Sequence, residues 1–107
     1  MPNTTQTITR FALRVRTEED STDMLGDWLH EDRASVFPFR TFAEASAACS
    51  VAVQEAAAAC GWSSWQAVRS YDEAQGGGFW FVATWEDEHG AGTVEGRVCV
   101  LSASFVL

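Results

Sequence analysis

Phe79-Trp80-Phe81-Val82-Ala83-Thr84-Trp85-Glu86 alternates in strict period two: Phe79, Phe81, Ala83 and Trp85 fall on one side, Trp80 and Val82 on the other. Successive side chains of an extended chain point to opposite faces, so this pattern specifies a β-strand with its aromatic side in a core. Gly76-Gly77-Gly78 precedes the strand and Asp87 to Gly92 follows it, both with the length and composition of hairpin connections. The strand is therefore expected at the centre of a meander formed by Trp65 to Asp72, Phe79 to Glu86 and Thr93 to Phe105.

The same period recurs from Thr7 to Arg16, with Phe11, Leu13 and Val15 on one face and Arg10, Arg14 and Arg16 on the other. Between this first strand and the meander lies the best helical stretch. Thr41 followed by Glu44 forms a capping box, Ala-rich sequence runs to Cys60, and Gly61 supplies a C-cap. Phe42, Ala45, Cys49, Ala52, Ala56 and Cys60 form a narrow, small-residue stripe suited to lying close on a sheet. Ser35 to Arg40 reads as an extended connector or short edge strand, because Pro38 cannot donate to a central ladder. The expected fold is one α+β domain over residues 1–107. It is a mainly antiparallel sheet of about four strands, with the long Ala-rich helix on one face and a short acidic helix after the first strand.

That short helix would run from Asp23 to about Asp32, capped by Ser21 or Thr22, with Leu25, Trp28 and Leu29 as its apolar side. It belongs to the chain's densest charge. Glu18, Glu19, Asp20, Asp23, Asp27, Glu31 and Asp32 occur without an intervening base. Fifteen helical residues span roughly 22 Å, which sets one charge about every 3 Å, close to the roughly 3.4 Å charge spacing of one nucleic-acid strand. Asp23, Asp27 and Glu31 would stack at i, i+4 intervals. A solvated helix face is the plain alternative, since charge runs commonly serve solubility.

Over the whole chain fifteen acids face seven bases, for a net charge of −8, and every base is Arg. Without Lys, Schiff-base and lysine general-base chemistry are excluded. The net charge argues against direct binding to nucleic acid or to an anionic membrane. The hydrophobic content of 47% excludes an acidic disordered tail as a description of the whole. No apolar run reaches the roughly 18 residues of a membrane span, and the polar start lacks signal-peptide features, so a cytoplasmic location is expected. Cys49 and Cys60 would stand about 16 Å apart along one helix, too far for a disulfide. Free, buried thiols are expected for these two and for Cys99.

Candidate chemistry beyond the acidic stretch is sparse. Glu86, Asp87 and Glu88 beside His89 could hold a divalent ion, but the spacing fits no known calcium loop, and a polar turn explains the same residues. His30 and His89 lack a nucleophile or an orienting partner. Gly76-Gly77-Gly78 precedes a strand, unlike a phosphate loop, which opens a helix. No metal and no cofactor is expected.

The face away from the helix is more suggestive. Trp80 and Val82 share it with Arg10, Arg14 and Arg16, and the alternation leaves room there for Val98 and Val100. Such a face, apolar at its centre and rimmed by arginine, serves as a contact surface for a partner or a second copy, unless the acidic helix lies over it.

The expected function is non-enzymatic: an acidic interaction or inhibitor domain that blocks the basic groove of a nucleic-acid-handling protein by charge mimicry. Small anti-defence proteins of phages and mobile elements, anti-CRISPR proteins among them, share this size and charge, which is an analogy of physics and not of sequence. The expected contacts are Asp20, Asp23, Asp27, Trp28, Glu31 and Asp32, joined by Trp80 and by the turn acids Glu86, Asp87 and Glu88. An immunity or antitoxin protein against a basic toxin would use the same design. A homodimeric adaptor joined through the Trp80 face is the alternative from another class.

Overall fold

The computed structural model describes residues 6–18, 37–72, 74 and 76–106. Four strands and one helix follow in the order β1 (Thr7–Thr17), α1 (Phe42–Cys60), β2 (Trp62–Ser70), β3 (Phe79–Asp87) and β4 (Gly90–Val106). All pairings are antiparallel, and the sheet order is β1-β4-β3-β2. The class is α+β. The short acidic helix expected after β1 lies outside the described residues. Among the described residues no helix is long and apolar enough to cross a membrane.

β4 organises the sheet. Its first half pairs with β3, from Gly90 opposite Asp87 to Val98 opposite Phe79. Its second half pairs with β1, from Gly96 opposite Thr17 to Val106 opposite Thr7. Phe39 adds a single bridge beyond β1, exchanging both backbone hydrogen bonds with Phe11 at 2.8 and 3.0 Å.

The core lies between this sheet and α1. Leu13, Val15, Phe81, Ala83, Val98 and Val100 are buried from the sheet side, and Ala45, Cys49, Val53 and Ala56 from the helix side. Val98 and Val100 thus belong to the helix-covered face and not to the outer one: they pair with Val15 and Leu13, and directly opposed residues share a face. The buried helix stripe also drifts from the expected one. It runs Ala45, Cys49, Val53 and then Ala56 and Ala57, because 3.6 residues per turn rotates a strict seven-residue spacing around the helix. Cys60 falls off that stripe and is exposed, contrary to the expected burial, while Cys49 and Cys99 are buried. Burial, and secondarily the neighbouring Cys99, pushes the Cys49 thiol up to about 11, so it stays protonated at neutral pH.

Local chemistry fixes the helix ends. The Glu44 N–H donates to Thr41 Oγ1 at 3.1 Å, and Glu44 Oε2 accepts from the Arg40 N–H at 3.2 Å. At the other end Gly61 takes a left-handed φ of 74° and its N–H returns to the Ala57 carbonyl. That turn sends the chain straight into β2, which begins at Trp62, three residues earlier than expected. Trp65 Nε1 then donates to Gln54 Oε1 on α1 at 2.9 Å, tying the helix to the strand it precedes.

Two glycines of β4 accept aromatic rings across the strand pair. A Cβ on Gly92 would meet the Trp85 ring at 2.9 Å, and one on Gly96 would overlap the Phe81 ring. Gly92 therefore belongs to the sheet and not to the turn. The turn shrinks to Glu88 and His89, and β4 begins at Gly90.

Candidate functional site

Of the residues singled out from sequence, Asp20, Asp23, Asp27, Trp28, Glu31 and Asp32 lie outside the described residues. Trp80 lies on β3, on the face opposite α1. Glu86 and Asp87 end β3 and Glu88 sits in the turn, roughly 20–26 Å along the chain from Trp80 at about 3.3 Å per residue. The turn acids and Trp80 therefore form separate places.

At the turn, Asp87 is engaged in local structure: its Oδ1 accepts the His89 N–H at 2.7 Å. His89 Nε2 lies 3.6 Å from Glu88 Oε1, with both side chains more than four-fifths exposed. A pair so open to water contributes little to stability. Among the described residues no group of acids, histidines or cysteines is arranged to hold a metal ion.

Around Trp80 the structure assembles more than the sequence suggested. Arg69, Trp80, Arg97 and Arg16 are direct register partners on β2, β3, β4 and β1, so they form one row across all four strands. The row spans about 14 Å at the usual strand spacing. Arg69 reaches it through a bulge. Ala67 pairs with Phe81 and Arg69 with Trp80, leaving Val68 as an extra residue between them. Without that insertion Arg69 would face the helix, since a shift of one residue exchanges the two faces.

Aromatic rings hold the guanidiniums in place. The Cζ atoms of Arg69 and Arg97 each lie 5.9 Å from the centre of the Tyr71 ring, and Arg97 Cζ lies 5.8 Å from that of Trp80. The Tyr71 and Trp80 rings are themselves 5.8 Å apart, tilted by 44°. Cation–π contacts of this kind fix a guanidinium while leaving its N–H edge free. Trp80 Nε1 is buried and has no hydrogen-bond acceptor among the described residues.

Two grooves meet at Trp80. One, of about 340 Å³, is lined by Glu18, Val68, Arg69, Trp80, Phe81, Val82 and Glu95. The other, of about 260 Å³, is lined by Arg16, Thr17, Glu18, Trp80, Gly96 and Arg97. On this face Trp80, Val82 and Arg97 are half-buried, and Ala12 and Cys99 on the same side are buried.

Sequence reasoning found Trp80 and the β1 arginines but missed Arg69, Tyr71 and Arg97. Arg97 was within reach, since it alternates with Val98. The placement of Val98 on the outer face concealed it.

The chain's charge divides unevenly. Glu18 to Asp32 holds seven acids and no base, whereas the rest of the chain holds eight acids against seven arginines. Seven of the eight net negative charges thus come from this one stretch of fifteen residues. Comparison of the chain with protein-family models, curated proteins and solved structures returns no match.

Proposed function

We propose that this chain is a non-enzymatic inhibitor domain whose acidic stretch, Glu18 to Asp32, occupies the basic groove of a nucleic-acid-handling protein. The observation that supports this reading is the charge partition. Acids needed only for solubility can be spread over a surface at little cost, whereas here the excess is concentrated in one stretch and the rest of the chain is nearly balanced. Concentrated charge produces a local field strong enough to steer a basic partner and to compete with a phosphate backbone. Asp20, Asp23, Asp27, Glu31 and Asp32 supply the carboxylates under this reading, and Trp28 supplies an apolar anchor. An anti-defence protein of a phage or mobile element, acting in the cytoplasm, is the biological setting that fits it. An antitoxin against a basic toxin is the same device with another target.

Competition tests this directly. The basic protein captured on the immobilised chain is challenged with an oligonucleotide that it binds. Mutually exclusive binding is the expected result. A complex that carries the chain and the oligonucleotide together, with both affinities unchanged, contradicts groove mimicry.

A further inference from the structure

The Arg69, Trp80, Arg97 and Arg16 row has no part in that reading, yet it is the most organised polar feature among the described residues. Arg16 stands directly opposite Arg97 in the β1–β4 ladder. Like charges at opposed positions repel, and an anion placed between them removes the repulsion. Arg69, Arg97 and Arg16 form no ion pair among the described residues. Their guanidinium donors make a set that asks for oxygen acceptors. Arginine, tryptophan and tyrosine are also the residue types that dominate the energetics of protein interfaces.

We propose that this row, with Tyr71, is a docking surface for an acidic segment of a protein partner, one that sets carboxylates between apolar side chains. The carboxylates pair with Arg69, Arg97 and Arg16, and an apolar side chain enters the groove beside Val68 and Val82. Val68 suits that role, being an apolar residue 57% exposed at the bulge that turns Arg69 toward Trp80. Charge complementarity selects a protein segment over nucleic acid. Glu18 and Glu95 line the same groove, so an unbroken phosphate chain, with a charge every ~3.4 Å, would set phosphates against both. Interleaved carboxylates avoid them, and the net charge of −8 opposes a long polyanion further.

The test uses the full chain and a short labelled peptide of alternating glutamate and leucine, with binding followed by fluorescence anisotropy at low salt. Binding is expected for this peptide and not for one carrying lysine in place of glutamate. Arg69→Met and Arg97→Met should each weaken it about tenfold, the scale of one charge-assisted hydrogen-bonded pair. Arg69 is exposed on an edge strand, so its variant keeps the fold, which circular dichroism checks. Three outcomes overturn the proposal: binding indifferent to both arginine variants, tighter binding of oligothymidylate through the same arginines, or no binding of the acidic peptide. A chain that accepts the peptide only after Asp20, Asp23 and Asp27 are changed to Asn overturns it too, since its occupant then comes from its own sequence. The first three outcomes leave the competition experiment untouched, so the two proposals are distinguishable; the fourth would set the acidic stretch on the chain's own arginines and counts against both.

Discussion

Phe81→Ala is expected to destabilise the fold by roughly 3–5 kcal/mol, the usual range for removing a fully buried aromatic side chain. Phe81 has no exposed surface. Its ring packs against those of Trp62 and Trp65 at 5.5 and 6.4 Å between centres, and it lies over Gly96 on β4. It therefore joins β2, β3 and β4 beneath α1. A rigid scaffold of this kind closes a cavity only partly, so lost contacts and residual void both contribute. Domains of this size have about 5–15 kcal/mol in total, so the change removes a large share. In urea, where a small protein loses about 1–3 kcal/mol per molar, the unfolding midpoint should fall by more than 1 M. A midpoint that stays within a few tenths of a molar would show that Phe81 is not the centre of the core.

The second large effect is at Gly78. Its φ is +87°, and a Cβ there would overlap the Val98 carbonyl oxygen and stand 2.9 Å from the carbonyl carbon. The obstacle is backbone, and it cannot withdraw, because Val98 is paired with Val15 on one side and Phe79 on the other. Gly78 also accepts the Tyr71 N–H at 2.9 Å, closing the connection between β2 and β3. Gly61 is the natural control: its φ is similarly positive at 74°, but a Cβ there meets nothing within 4 Å. Gly61→Ala should cost only the left-handed conformation, about 1–2 kcal/mol. Gly78→Ala adds the collision and should cost at least twice as much. Thermal melts compare the two at about 4–8 °C per kcal/mol. Equal losses would mean that β4 yields at Val98 and that the close approach is unimportant.

How far the fold was legible follows from which forces act locally. The alternation in β3 and β1 was readable because burial on one side imposes period two within a single segment. Thr41, Glu44 and Gly61 were readable because caps act within a few residues. What escaped depends on a neighbouring strand. Gly90-Ala91-Gly92 has the composition of a turn, and only the Trp85 ring lying across Gly92 makes it strand. Val98 and Val100 alternate with Arg97 and Cys99, but only pairing with Leu13 and Val15 decides which set meets the helix. The bulge at Val68 carries no glycine or proline to announce it. Simple alternation from Trp65 would send Arg69 inward, and its true position beside Trp80 appears only in the register with β3. The candidate site was thus half-legible: Trp80 and Arg16 from their own strands, Arg69, Tyr71 and Arg97 only from the assembled sheet. The acidic stretch was legible as charge and as nothing more.

The central claim, that this charge is a binding device, is tested most directly by reversing Asp23, Asp27 and Glu31 to Arg together and measuring affinity for the captured basic partner across a salt series. Three reversed charges at an interface should lower affinity at least a hundredfold at low salt and flatten its dependence on ionic strength, because clustered-charge attraction is screened over about 10 Å at 0.1 M. Unchanged affinity with an unchanged salt slope would contradict the account and leave the acids as a solvated surface.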